Sequence, residues 1–239
     1  MFVHLSVVIP AYNEENRIEE CLRRVTAFLD LKGRPYEVIV SSDGSTDGTD
    51  RLVRAFAEAH PEARVGLVVS NRNRGKGASV RKGVLASSGA YVLVTDADLS
   101  APIKESDKLL AALEAGYDAA IGSRGVRSPG ADVQQSLKRR IAGRVFNWLV
   151  RFFALKGFKD TQCGFKCFKR PAALELFREQ VTSGFAFDVE VLLRAQRALL
   201  RIKEVPIMWR EGSSSKVSLL KDPFLMLMDV MTLKKRLGP

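Results

Sequence analysis

Along the first half of the chain, short apolar runs alternate with segments whose apolar residues recur every three or four positions. LSVVIP (5–10) is an unbroken apolar run and predicts a buried strand. Ile18, Cys21, Leu22, Val25, Phe28 and Leu29 then fall on one face of a helix that Gly33 and Pro35 bring to an end. YEVIVSS (36–42), VGLVVS (65–70), YVLVT (91–95) and DAAIG (118–122) read as further strands. Between them the spacing predicts a helix carrying Leu52, Val53 and Phe56 that stops at Pro61, and others over 76–87 and 103–115. Such alternation implies an α/β fold: a mostly parallel central sheet with helices on both faces. In open sheets of this kind, ligands bind beyond the carboxyl ends of the strands. Here those ends carry PAYNEE (10–15), SSDGSTDGT (41–49), NRNRGKG (71–77) and DADLS (96–100), four polar tips on one edge.

The pattern changes near residue 123. A basic loop, SRGVRSPGAD, leads into a basic aromatic helix from about 133 to 156, then DTQCGFKCF (160–168) and a helix near 187–200. A strand IKEVPIMW (202–209), a polar loop REGSSSKV (210–217) and an amphipathic helix over 219–239 follow, so that 1–218 reads as one large domain. With 239 residues, 46% of them hydrophobic and 27% charged, the chain is long enough for a sizeable core and is globular in composition. The 38 Lys and Arg against 27 Asp and Glu give a net charge of +11, which points to anionic partners.

Cys21, Cys163 and Cys167 are an odd number for a disulfide framework, and CGFKC lacks the second ligand pair of a zinc site; a reducing, cytoplasmic setting is expected. MFVHLSVVIP shows neither the basic leader nor the cleavage site of a signal peptide. The two nearest approaches to a spanning helix, 141–155 and 219–233, are interrupted by charges and fall short of the roughly 20 apolar residues required.

In an extended segment Asp96 and Asp98 point to the same side. Two close carboxylates repel unless a proton or cation lies between them, and hard oxygen ligands suit Mg²⁺ or Mn²⁺. A solvated strand end that caps the next helix is the other reading. An EF-hand is excluded, since Ala101 stands where its glycine belongs and Asp107 where its glutamate belongs. RGKGASV follows a strand and opens a helix, a place for backbone amides and a lysine to meet phosphate, or a basic loop whose glycines serve the turn. With Val80 at the third glycine position it is not a dinucleotide fingerprint, nor is it a P-loop. SSDGSTDGTD contains the residues that turns and helix caps use.

Together, VVIPAYNEE, VIVSSDGSTDGT, GKG and VTDADLS, in this order and each at a strand end, resemble the inverting family 2 glycosyltransferases of GT-A fold. IGSRG (121–125), KDTQCGFKCF (159–168), GFAFDVEVLLRA (184–195) and EVPIMWREGSSSKV (204–217) extend the resemblance to the dolichyl-phosphate glucosyltransferase branch, with the dolichyl-phosphate mannose synthases as near relatives. The resemblance makes residues 1–122 the nucleotide-sugar half and 123–218 the acceptor half. It implies that Pro10, Ala11, Tyr12, Glu14 and Asp43 hold the base and ribose of the donor and that Lys76 and Gly77 flank it. Asp96 and Asp98 would carry a divalent cation, Mg²⁺ or Mn²⁺, on its diphosphate. Where the family has two acids before GS, the first position here is Ser42, and the position two beyond Asp98 is Ser100.

The implied reaction transfers a sugar, glucose from UDP-glucose, onto polyprenyl or dolichyl phosphate. GDP-mannose as donor is one alternative; a non-catalytic basic module on membrane or nucleic acid is another. The sequence has no helix-turn-helix, zinc-finger or RNP signature, which argues against nucleic acid. Asp188 is the carboxylate available as a catalytic base or acceptor-orienting group, or equally a structural acid. For the acceptor phosphate the expected grips are Arg124, Arg139 and Lys216. Lys138, Arg139, Arg140, Arg144 and Arg151 interleave with Phe146, Trp148, Leu149, Phe152 and Phe153, which suits a helix lying on anionic headgroups or an amphipathic core helix with a basic outer face. Relatives often carry transmembrane segments; this chain is expected to be peripheral on the cytoplasmic face of a membrane or to rely on an anchoring partner.

Overall fold

The structure is a computed structural model, and it describes residues 2–126, 132–134, 155, 157–210, 226 and 228–233. Its centre is a seven-stranded sheet built from β1 (Leu5–Ala11), β2 (Tyr36–Ser42), β3 (Val65–Val69), β4 (Tyr91–Val94), β5 (Ala119–Ser123), β7 (Lys166–Lys169) and β8 (Ile202–Pro206). The strand order is β3-β2-β1-β4-β7-β5-β8. All neighbours pair in parallel except β7, which runs antiparallel to both β4 and β5. A small parallel pair, β6 (Val133–Gln134) with β9 (Trp209–Arg210), lies apart.

Helices α1 (Ile18–Lys32), α2 (Thr49–Ala59), α3 (Lys76–Ala86), α4 (Ser106–Glu114), α5 (Arg170–Arg178) and α6 (Phe187–Arg197) cover the sheet. The predicted apolar face of α1 is buried except for Phe28, which is partly buried, and Gly33 ends the helix in the left-handed region at φ 63°. Side chains alternate across β1: Leu5, Val7 and Ile9 pack into one core with α1, whereas Val8 joins Val80 and Val84 of α3 on the other face. This two-sided burial explains the unbroken apolar runs of the central strands.

Four expectations change. The helix expected over 103–115 begins with a 3₁₀ turn, Ile103–Glu105, before α4. The single strand expected over 202–209 stops at Pro206, and Trp209 and Arg210 pair with β6 instead. Residues 133–134, expected to open a helix, are that short strand. Finally, KCFK, in and just beyond a segment to which the periodicity assigned no element, forms an inserted strand. Of the rest of the expected basic aromatic helix only Leu155 is among the described residues, and it is buried outside any helix. Within the expected terminal helix, residues 228–233 are helical; Met226, Val230 and Leu233 are buried and Met228 and Met231 exposed, a stripe at helical spacing. Met226 and Val230 share a core with Leu155, Phe158, Val189 and Leu192.

Candidate active site

The four polar tips meet around one cleft of about 600 Å³, a size that suits a small-molecule or cofactor ligand. Pro10 and Ala11 end β1 at its wall, followed by Tyr12 and Glu14. That first tip is stitched to the second. Asn13, at φ 51°, donates its amide to Ser45 Oγ at 3.1 Å and accepts the Thr46 amide at 2.8 Å. The Glu14 amide donates to Thr49 Oγ1 at 2.7 Å, and the Glu15 amide to Asp47 Oδ2 at 3.1 Å. Hydrogen bonds from Thr49 hold the Asp47 carboxyl below the usual carboxylate range against its own desolvation. Much of SSDGSTDGT is therefore turn and cap chemistry that fixes the PAYNEE loop. Ser42, the serine before the DGS, is fully buried and bonds Ser45 Oγ at 3.1 Å.

Asp43 lines the cleft, yet its carboxylate is engaged with the third tip: it accepts the Arg74 amide at 3.0 Å and the Gly75 amide at 2.7 Å. Gly75 adopts φ 104°, where a β-carbon is strained and would also stand 2.5 Å from the Ser183 carbonyl. The next residue, Lys76, opens α3 and lines the cleft with Nζ 2.6 Å from Asp96 Oδ1. Gly77 does not line the cleft. It packs on the loop before α6, where a β-carbon would meet Thr182 O at 2.5 Å and Phe187 Cβ at 2.7 Å.

Asp96 and Asp98 both line the cleft and are partly exposed on either side of buried Ala97. The segment is a turn instead of the extended strand end expected: the Leu99 amide bonds Asp96 O at 3.0 Å, Leu99 sits at φ 47°, and Asp98 Oδ1 accepts the Ser100 amide at 2.9 Å. The residues fit a divalent cation. Both supply hard carboxylate oxygens, and among the described residues no group of three or more His, Cys, Asp or Glu forms a complete cage, so substrate oxygens and water would complete the shell.

The acceptor-side candidates lie elsewhere. Asp188 is 5% exposed, does not line the cleft and is ion-paired with Lys166. Burial pushes its carboxyl above the ordinary range, opposed by Lys166 and Lys76. Arg124 also stands off the cleft, its fork bidentate on Asp160 at 2.7 and 2.9 Å and its guanidinium 5.3 Å from the Trp209 ring centre. Arg139 and Lys216 lie outside the described residues. The three cysteines are buried free thiols; burial pushes Cys21 to about 12 and Cys163 to about 11, and raises Cys167 also, so they stay protonated and inert. Residues that the sequence reading left without a role complete the cleft: Arg17, ion-paired to Glu14 at 2.8 Å, Asn73, Ser79, Gly184 and Phe185. Gly184 and Phe185 open GFAFD, a stretch whose signal was present without a place.

Comparison with known proteins matches residues 6–177 to the sequence model of Glycosyl transferase family 2. Among similar proteins, the dolichyl-phosphate beta-glucosyltransferase of Drosophila melanogaster is 39% identical over 90% of this chain and 70% of its own. That of Saccharomyces cerevisiae is 36% identical over 97% of this chain and 74% of its own. A similar fold occurs in glucosyl-3-phosphoglycerate synthase from Mycobacterium tuberculosis, solved with Mn²⁺, UDP and glucosyl-3-phosphoglycerate: the TM-score is 0.73 at 21% identity, over 98% of this chain and 80% of that one. Because the family match runs from β1 into α5 and takes in the polar tips around the cleft, the chain belongs to glycosyl transferase family 2 and groups with its dolichyl-phosphate beta-glucosyltransferase branch.

Proposed function

We propose that this protein transfers glucose from UDP-glucose to a dolichyl-type polyprenyl phosphate with inversion. The observation that carries the reading is the convergence of Lys76, Asp96 and Asp98 at one end of a cleft whose wall is the PAYNE tip. The names of its relatives support the sugar and the acceptor. Pro10, Ala11, Tyr12 and Glu14 would receive the nucleoside, with Asp43 fixing the loop that carries Lys76. Lys76 meets the diphosphate as a point charge. Asp96 and Asp98 would hold Mg²⁺ or Mn²⁺, whose chemistry when bound is to neutralise charge on the departing nucleoside diphosphate. A phosphomonoester acceptor, with a second pKa of about 6, is already an oxyanion at neutral pH. It needs positioning more than deprotonation, which accords with Asp188 standing off the cleft. Arg139 and Lys216 are the proposed acceptor grips, since the Arg124 fork is engaged by Asp160. Peripheral contact with the membrane surface, alone or through an anchoring partner, would bring the enzyme to its acceptor.

The test is a donor panel on purified protein with polyprenyl phosphate, with and without EDTA. Product is expected with UDP-glucose and Mg²⁺ or Mn²⁺, and is expected to disappear with EDTA; no product from any donor sinks the reading. Asp98→Ala is expected to abolish transfer while circular dichroism and thermal midpoint stay near native. Near-normal turnover by that variant would remove Asp98 from the cation site.

A further inference from the structure

The loop between α5 and α6 reaches the cleft at Gly184 and Phe185, and a carboxylate that does not line the cleft holds it in place. Glu190, in the first turn of α6, is fully buried. Its Oε1 accepts the Val181 amide at 2.9 Å and Arg194 Nε at 2.7 Å, and its Oε2 accepts the Thr182 amide at 2.7 Å. A carboxylate taken out of water is costly unless donors surround it. Two of these three donors are backbone amides of the one loop, so the shape of the loop and the burial of the charge depend on each other.

The same loop is the seat of the turn that carries Lys76. Gln180 is buried and donates from Nε2 to Thr182 O at 2.7 Å and to Gly77 O at 2.9 Å. The Ala78 amide donates to Ser183 O at 3.1 Å. On both sides of Lys76 only a glycine fits against this backbone. A β-carbon at Gly75 would stand 2.5 Å from Ser183 O, and one at Gly77 would stand 2.5 Å from Thr182 O and 2.8 Å from Gly184 O. Every step from Glu190 to the neighbours of Lys76 is therefore a hydrogen bond or a close backbone contact. Asp43 anchors the residues just before the lysine, through the Arg74 and Gly75 amides, and the loop anchors those just after it.

We propose that Glu190 is a positioning residue for the donor site, fixing the loop on which the Gly75–Gly77 turn rests and so placing Lys76. A lysine meets phosphate as a point charge on a flexible stem, so where its backbone is held decides what the ammonium can reach. Without the Glu190 carboxylate, the Val181 and Thr182 amides lose their acceptor, the loop relaxes, and Lys76 loses its support on one side. Glu190 acts through backbone and touches no substrate. The inference rests on the donor-site reading above.

The experiment is UDP binding by titration calorimetry in the presence of Mn²⁺, run well below each variant's thermal midpoint. Glu190→Ala is expected to bind UDP roughly tenfold more weakly than native protein, the scale of one charge-assisted contact. Glu190→Gln, which keeps one oxygen for a loop amide, is expected to fall between the two. In a Lys76→Met background, Glu190→Ala is expected to cost little further affinity, because its effect passes through that lysine. A merely structural role, in which the whole cleft loosens, would weaken UDP binding by the same factor with or without Lys76. If Glu190→Ala does not fold, Glu190→Gln and Gln180→Met, the latter cutting the bond to Gly77 O and leaving Glu190 in place, give the same comparison. Native-like UDP affinity in the folded variants, or full additivity with Lys76→Met, overturns the positioning role. A native protein that binds no UDP overturns the donor-site reading itself.

Discussion

Asp160 shows how a single carboxylate can organise two loops. It is 2% exposed and accepts the Arg124 amide at 3.0 Å, Arg124 Nε at 2.7 Å and Nη2 at 2.9 Å, and the Gln162 amide at 3.2 Å. Its own amide donates to Glu204 at 2.7 Å, and Glu204 also accepts Ser123 Oγ at 2.6 Å. The Arg124 guanidinium outweighs desolvation and holds the Asp160 carboxyl at about 2, against 3.8 for the free group. The folded value is depressed, so this stability is present above the unfolded pKa and is lost as pH falls from about 4 to about 2, an effect of about 2 kcal/mol. Urea unfolding at neutral pH and at pH near 3 is expected to show about half of that loss, about 1 kcal/mol, in the native protein. Asp160→Asn is expected to be about 3 kcal/mol less stable at neutral pH, because Arg124 is left without its partner, and to lose less over the acid range. An equal acid loss in both proteins would remove Asp160 from this role. The same residue explains a limit of the sequence reading. Arg124 was legible as a cation near the acceptor half, but whether a guanidinium is free for phosphate depends on a partner 36 residues away. The same limit holds at Asp96: the D-x-D puts two carboxylates near each other in sequence, but their extended arrangement gives way to a turn and Asp96 is ion-paired with Lys76, 20 residues away.

At the scale of elements, periodicity sufficed wherever one face of a helix or both faces of a strand were buried, as in α1 and β1. It failed at β7. KCFK has four residues and carries lysines at both ends, and nothing local reveals that it inserts antiparallel between β4 and β5 or that Lys166 is buried against Asp188. A charged residue facing the interior breaks the alternation that identifies a strand. The turn at 96–99 was likewise hidden, because a positive φ at Leu99 is a tertiary outcome. β7 is nonetheless central to packing. Phe168 is fully buried and meets Phe177 of α5 edge to face at 5.6 Å. Phe168→Ala is expected to cost about 3–5 kcal/mol in urea unfolding, whereas Leu199→Ala, at a side chain 87% exposed, should stay within about 0.5 kcal/mol of native. Equal, small effects at both positions would mean that β7 is not part of the cooperative core.

Over the whole molecule, the relevant property is an excess of 38 Lys and Arg over 27 Asp and Glu. No helix of the described residues is long and apolar enough to cross a membrane. In the residues described near the C-terminus, Met226, Val230 and Leu233 turn inward, leaving Met228 and Met231 outside. If, as proposed, the acceptor resides in a bilayer, the cationic excess of the sequence is a feature that would meet an anionic surface. Each Lys or Arg close to an anionic surface contributes about 1 kcal/mol, and the attraction fades over about 8 Å at physiological salt. On the proposed reading, a few cations on one face would be enough to hold the protein, in a contact that salt reverses. Co-sedimentation with vesicles containing anionic lipid is therefore expected at low salt, with release at about 1 M salt, where the screening length falls to about 3 Å. Vesicles of neutral lipid should retain little protein at either salt. Retention that ignores both lipid charge and salt would instead mean that apolar side chains insert, with the exposed Met228 and Met231 the first positions to test by substitution with serine.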